Sequence, residues 1–87
     1  MKLIFCPVCQ DVVRLIRSRK RFCKCRTSWG KYLDDVFAQI GGPAIPLGFH
    51  NSSFADALEG QPDYPPGKQF IAFVIERNCP HIVRESL

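Results

Sequence analysis

Apolar residues come in short bursts along this chain, separated by turn-forming residues. The longest uninterrupted burst is Phe70 to Ile75. Six residues suffice for a strand and fall far short of a membrane span. Lys2 to Phe5 predicts a first strand. Asp11 to Arg17 (DVVRLIR) predicts a second, with Val13 and Leu15 on one face and Val12, Arg14 and Ile16 on the other. Ser18-Arg19-Lys20 reads as a turn, and Arg21 to Lys24 as the returning arm of a hairpin. Thr27 to Leu33 (TSWGKYL) reads as a further strand, in which Gly30 marks a turn or bulge. Val36 to Ile40 is open between strand and helix.

Gly41 to Phe49 contains glycines and prolines that exclude a helix. With Ala44, Ile45, Leu47 and Phe49 apolar, it predicts an extended buried loop or an edge strand. Residues 52–59 carry the helical pattern. Phe54, Ala57 and Leu58 fall on one face, Asn51 or Ser52 serves as cap, and Gly60 as stop. A helix this short holds only when packed on a sheet. Gln61 to Gly67 is a proline-rich loop. Lys68 to Glu76 (KQFIAFVIE) is apolar on both faces and predicts a central strand. Asn78 to His81 turns, and Ile82-Val83 predicts a last short strand.

The cysteines change this picture. Cys6-Pro7-Val8-Cys9 and Cys23-Lys24-Cys25 are two close pairs flanking thirteen residues, Gln10 to Phe22. Two thiolates with one or two residues between them can reach one ion from a single tight turn. Two such turns complete the tetrahedron that zinc prefers. With all four positions thiol, none is left for a reactive water, and a structural ion is expected. Two disulfides are the competing reading. Against them, a bridge within C-x-C is strained, and Met1 to Phe5 runs into the first pair without an export signal. Reduced thiols and a cytoplasmic location, or a nuclear one if the source has a nucleus, are therefore expected. Redox thiols or another metal are the remaining readings.

The paired motifs resemble the zinc ribbons, small β modules in which two metal knuckles are joined by a hairpin. The resemblance covers about the first third of the chain and implies Zn2+ held by Cys6, Cys9, Cys23 and Cys25. It does not imply a function, because ribbons serve many. Two departures from the ribbon pattern stand out. Gln10 and Arg26 occupy positions where ribbon knuckles carry glycine, and the second pair is C-x-C rather than C-x-x-C. The expected fold is a small α+β domain, mainly antiparallel β. One unit would span residues 1–87, with a zinc-ribbon portion (1–33) and a β-rich portion (34–87) that includes the helix. A metal staple suits so short a chain, which buries a modest core.

Charge is divided unevenly. The 87 residues carry a net +4, yet residues 1–31 hold nine cations against Asp11 alone, and residues 32–87 hold three cations against seven acids. Zinc with four thiolates would add about −2 and leave the first portion strongly basic. Arg14, Arg17, Arg19, Lys20, Arg21, Lys24 and Arg26 are the candidate contacts for phosphates, and Arg also suits base edges. Trp29, Tyr32 and Phe22 are candidates for stacking on unpaired bases. Nucleic acid, or a complex that handles it, is the first expectation for a partner. The alternative is an adaptor or inhibitor, of a phage or regulatory kind, docking on a larger complex through a bipolar surface.

Catalysis is the third reading. Cys79, His81 and the His50-Asn51 pair are parts of a thiol nucleophile. No second motif supports them, and no catalytic residue is assigned. Cys79 reads more simply as a small buried apolar side chain, or as a substitute ligand for one of the four cysteines. His50 reads as a hydrogen-bonded loop residue, and Gly41 to Asn51 as a crossover into a capped helix rather than an anion-binding wall.

Overall fold

The computed structural model describes residues 1–85. The elements in chain order are β1 (Lys2–Phe5), β2 (Val12–Arg14), β3 (Arg21–Phe22), β4 (Trp29–Tyr32), β5 (Ala38–Gly41), β6 (Ile45–Phe49), α1 (Asn51–Glu59), β7 (Ala72–Val74) and β8 (Ile82–Glu85). They make two four-stranded sheets, ordered β2-β1-β6-β7 and β3-β4-β5-β8. Every strand pair is antiparallel except β5 with β8. This is the small, mainly antiparallel α+β fold that the patterning predicts.

The core lies between the sheets. Ile4 and Val13 of the first meet Ala38 and Ile40 of the second, with Leu15, Ala44, Cys6 and Cys23 in the same cluster. Alternation explains β5, where Ala38 and Ile40 turn inward around the half-buried Gln39. Gly41 lies opposite Trp29, and the Trp29 indole fills the space that a side chain at Gly41 would need. At Gly30 an added Cβ would lie 2.6 Å from Leu15, so the missing side chain lets Leu15 seat against β4. The molecule measures 47 × 26 × 24 Å with a radius of gyration of 14.2 Å. A compact chain of this length would have about 12 Å. The elongation leaves little volume for a core.

The predicted hairpin between residues 11–17 and 21–24 does not form. β2 pairs with β1, and β3 with β4. The reason lies at Leu15 and Ile16, where the chain changes sheets: the Leu15 amide donates to the Lys2 carbonyl, and the Ile16 carbonyl accepts from the Tyr32 amide. The segment 18–20 is therefore a connection between sheets.

The predicted central strand is also corrected. Only Ala72–Val74 is regular, and β7 is an edge strand bonded to β6 alone. The interior place belongs to β6, which lies between β1 and β7 where an extended loop or edge strand was expected. Pro46 is tolerated there because its missing N–H falls on the β7 side, where its carbonyl accepts from the Ile75 amide. The segment open between strand and helix, Val36 to Ile40, is strand only from Ala38, and the last strand runs on to Glu85.

Helix α1 starts one residue earlier than predicted. Its cap is His50, whose Nδ1 accepts from the Ser53 amide at 3.3 Å. Gly60 ends it, donating its amide to the Asp56 carbonyl. Of the predicted apolar face, Ala57 is buried, Phe54 is half-buried and packs on Phe49 and Phe70, and Leu58 stays exposed. Among the described residues, no helix is long and apolar enough to cross a membrane.

The β4–β5 turn is held by Asp34, whose Oδ1 accepts from the amides of Val36 at 2.8 Å and Phe37 at 2.7 Å. The Phe37 amide first, then that of Val36, holds the Asp34 carboxyl below its ordinary pKa of 3.8. A depressed carboxylate contributes stability above its unfolded pKa, and that contribution is lost as pH falls through the folded value. Unfolding curves of the native chain and Asp34→Ala should therefore differ near neutrality and converge in acid. A stability difference that stays constant with pH would contradict this role.

Candidate metal centre and the basic face around it

The two cysteine pairs sit in matching turns. Cys6 and Cys9 occupy the turn between β1 and β2, and Cys23 and Cys25 the turn between β3 and β4. In the first, the Cys6 amide donates to the Asp11 carbonyl at 2.9 Å and the Gln10 amide to the Cys6 carbonyl at 2.7 Å. In the second, the Cys23 amide donates to the Ser28 carbonyl at 3.0 Å and the Arg26 amide to the Cys23 carbonyl at 3.0 Å. Each turn closes through a left-handed residue, Gln10 at φ 61° and Arg26 at φ 64°. These are the two positions where glycine was expected. The backbone conformation of the knuckle is present without the residue that adopts it most cheaply.

The four sulfurs converge. All ligand atoms of Cys6, Cys9, Cys23 and Cys25 lie within 4.8 Å of one another. Cys6 and Cys25 Sγ are 3.7 Å apart, and Cys23 and Cys25 Sγ are 3.5 Å apart. A tetrahedron with metal–sulfur bonds near 2.3 Å has edges of about 3.8 Å. The set could hold one metal ion, and its two pairs come from different sheets. Cys6 and Cys23 are buried, Cys9 is half-buried and Cys25 reaches the surface. Cys79 lies outside this group.

The surroundings favour thiolates. Thr27 Oγ1 is 3.0 Å from Cys25 Sγ and 3.7 Å from Cys6 Sγ, and the Ser28 amide donates to Cys23 Sγ at 3.4 Å. The Ser28 hydroxyl is buried with no conventional acceptor. It is near enough to Cys6 to favour the thiolate there. Burial opposes ionisation of Cys6, but the Ser28 and Thr27 hydroxyls and the Cys9 and Val8 amides outweigh it and bring its pKa down to about 5. Cys23 is also lowered: burial opposes, while the Ser28 amide and the Cys25 thiol prevail. Cys9 moves the other way. The Cys25 amide favours its thiolate, but burial and the adjoining Cys25 and Cys23 side chains win. Thr27 and Ser28 were not among the predicted site residues. Their signal was two hydroxyl side chains placed directly after C-x-C-R.

The predicted cations divide by what their side chains touch. Arg17 pairs with Asp35 at 3.0 Å, both well exposed. Lys20 lies 4.1 Å from the centre of the Trp29 ring, and Arg26 lies 4.5 Å from that of Phe22. Arg21 donates to the Arg14 carbonyl at 3.1 Å and ties β3 to β2. The side chains of Arg14, Arg19 and Lys24 are exposed and meet no hydrogen-bonding or acidic partner among the described residues. The Lys24 amide donates to Asp11 Oδ2 at 3.0 Å, which seats the second knuckle beside the start of β2.

Two of the predicted stacking aromatics are committed elsewhere. Trp29 is buried beneath Lys20, and the Tyr32 hydroxyl accepts from the Lys2 amide at 2.7 Å. Phe22 alone is exposed, under Arg26. The candidate nucleophile parts are not assembled: His50 caps α1 on one sheet, and His81 packs edge-on against Phe37 beside the other. Set against family models, curated proteins and solved structures, the chain matches none.

The left-handed residues yield a stability prediction. A non-glycine residue in this region costs about 1 kcal/mol or more. Gln10→Gly should raise the denaturant midpoint by an amount worth about 0.5–1 kcal/mol, after the greater freedom of glycine in the unfolded chain is counted. Arg26→Gly should gain less, because it also removes the contact with Phe22. A loss of stability in Gln10→Gly would contradict the knuckle geometry.

Proposed function

We propose that the four cysteines hold a structural zinc ion and that the chain is a small binding protein contacting nucleic acid through the basic face around that ion. Zinc suits a set of four thiolates and imposes no geometry beyond the tetrahedron that the sulfurs approach. Every ligand position is a thiol, so the ion serves to hold the two turns. The Thr27 hydroxyl and the Ser28 amide supply donors that charged sulfurs need.

The observation that supports nucleic-acid contact is the set of unpaired cations in the first third of the chain. Arg14, Arg19 and Lys24 are exposed without an acidic partner, and of the seven candidate cations only Arg17 has a salt bridge among the described residues. Asp11, which accepts from the Lys24 amide, is the one acid before residue 34. A surface of this kind favours phosphates and draws anionic polymers from a distance. With Trp29 and Tyr32 taken up by the fold, base stacking is left to Phe22. Backbone contact then outweighs base reading, and the expected selectivity among sequences is weak.

A second reading is a protein adaptor or inhibitor docking on a larger complex. Exposed Ile71, Phe73 and Val74, remote in sequence from the basic face, favour it.

The test is fluorescence anisotropy of zinc-loaded protein with single-stranded DNA, duplex DNA and RNA at several salt concentrations. Arg14→Glu, Arg19→Glu and Lys24→Glu are combined because none of these side chains supports the fold, whereas Lys20 and Arg21 do. The triple variant is expected to lose binding while retaining zinc. Neutral replacements at the same three positions should flatten the salt dependence by about 2 to 3 in log–log slope, one contact at a time. Unchanged binding in the triple variant would remove this face from the interface. Failure of the native chain to bind any nucleic acid would move the assignment to a protein partner.

A further inference from the structure

β7 presents a contradiction between sequence and position. Residues 70–75 are apolar on both faces, the pattern of a strand covered above and below. In the folded chain this strand has one neighbour, and Phe73 and Val74 remain 50% and 67% exposed. Edge strands are ordinarily short, charged or covered. This one is short, but Ile71, Phe73 and Val74 are bare and apolar.

The outward hydrogen-bonding groups can be identified. The Ile75 amide donates to Pro46 at 2.9 Å, and the Ile71 carbonyl accepts from His50 at 2.8 Å. In an antiparallel ladder, alternate residues bond to the same side. Ile71, Phe73 and Ile75 therefore face β6, and the backbone groups of Ala72 and Val74 face away. Among the described residues, no backbone group meets them.

We propose that this edge pairs with β7 of a second copy, antiparallel about a two-fold axis at Ala72. The outward-facing residues then oppose one another, Ala72 with Ala72 and Phe70 with Val74, as the ladder requires. Charge selects this register. Lys68 comes opposite Glu76 of the second copy, and the symmetry repeats the pair on the other side. Both residues are exposed. Moving the axis to Phe73 would keep the hydrogen bonds but set Phe70 against Glu76 and leave Lys68 without an acid. The aromatic–β-branched and opposite-charge pairs are both favourable cross-strand combinations. The product is one continuous sheet of eight strands with β2 at each end, so the two metal centres and their basic faces lie far apart. Two linked basic faces would raise the avidity of the dimer for a long anionic partner. The pairing itself does not depend on what that partner is.

Sedimentation equilibrium of the purified 87-residue chain, from micromolar to millimolar concentration, tests the pairing. A monomer–dimer equilibrium is expected. Lys68→Glu and Glu76→Lys should each weaken it by about tenfold, because each sets two like-charge pairs opposite one another. Mixing the two variants should restore association as a heterodimer, since every pair is then opposite in charge. Ala72→Pro removes an outward amide that β6 does not use, and should abolish the dimer with zinc content and circular dichroism unchanged. A native chain monomeric throughout would overturn the proposal. So would a dimer indifferent to Ala72→Pro, and charge variants that fail to recombine would overturn the register.

Discussion

The structure depends on one convergence, four sulfurs drawn from two sheets to a single point. Cys6 and Cys9 hang from the first sheet and Cys23 and Cys25 from the second, and all four ligand atoms lie within 4.8 Å. Between the sheets the apolar contribution is small, with Ile4, Val13, Leu15 and Ile40 its largest side chains. An elongated chain of 87 residues buries little more than that. An ion at the cysteines would join the two sheets beside that core. It would also repay the strain of two left-handed, non-glycine turns. The knuckle hydrogen bonds, the donors from Thr27 and Ser28, and the seating of Lys24 on Asp11 all serve to present the sulfurs.

The same convergence organises the charge. Lys24 and Arg26 flank Cys25 in the second knuckle, while Arg14 ends β2 opposite Leu3. The fold then uses several of the cations. Lys20 shields Trp29, Arg26 covers Phe22, and Arg21 clips β3 to β2. A cation count from sequence therefore overstates what is available to a partner.

Local features were legible in the sequence, and pairing was not. The ligand set follows from spacing, the helix from its period and its Gly60 stop, and β1 from its composition. Even the left-handed knuckle positions were marked, as the sites where Gln10 and Arg26 replace an expected glycine. The errors arise where distant segments decide. Residues 11–24 look like a hairpin until Leu15 and Ile16 bond to different sheets. Residues 68–76 look central because both faces are apolar, a property of the side chains that does not say which neighbours the monomer supplies. His50 as a helix cap was hidden because histidine is an uncommon capping residue. Ser28 gave no sign that it would be fully buried with its amide on the Cys23 sulfur.

The central claim is that one metal ion joins the sheets, and the direct measurement is a zinc titration of the metal-free, reduced chain followed by NMR. A single equivalent of zinc should bind tightly, with amide signals of both sheets, Ile4 and Val13 as well as Trp29 and Ile40, passing together from collapsed to dispersed. A dispersed spectrum of both sheets before any zinc is added, unchanged on titration, would contradict the claim.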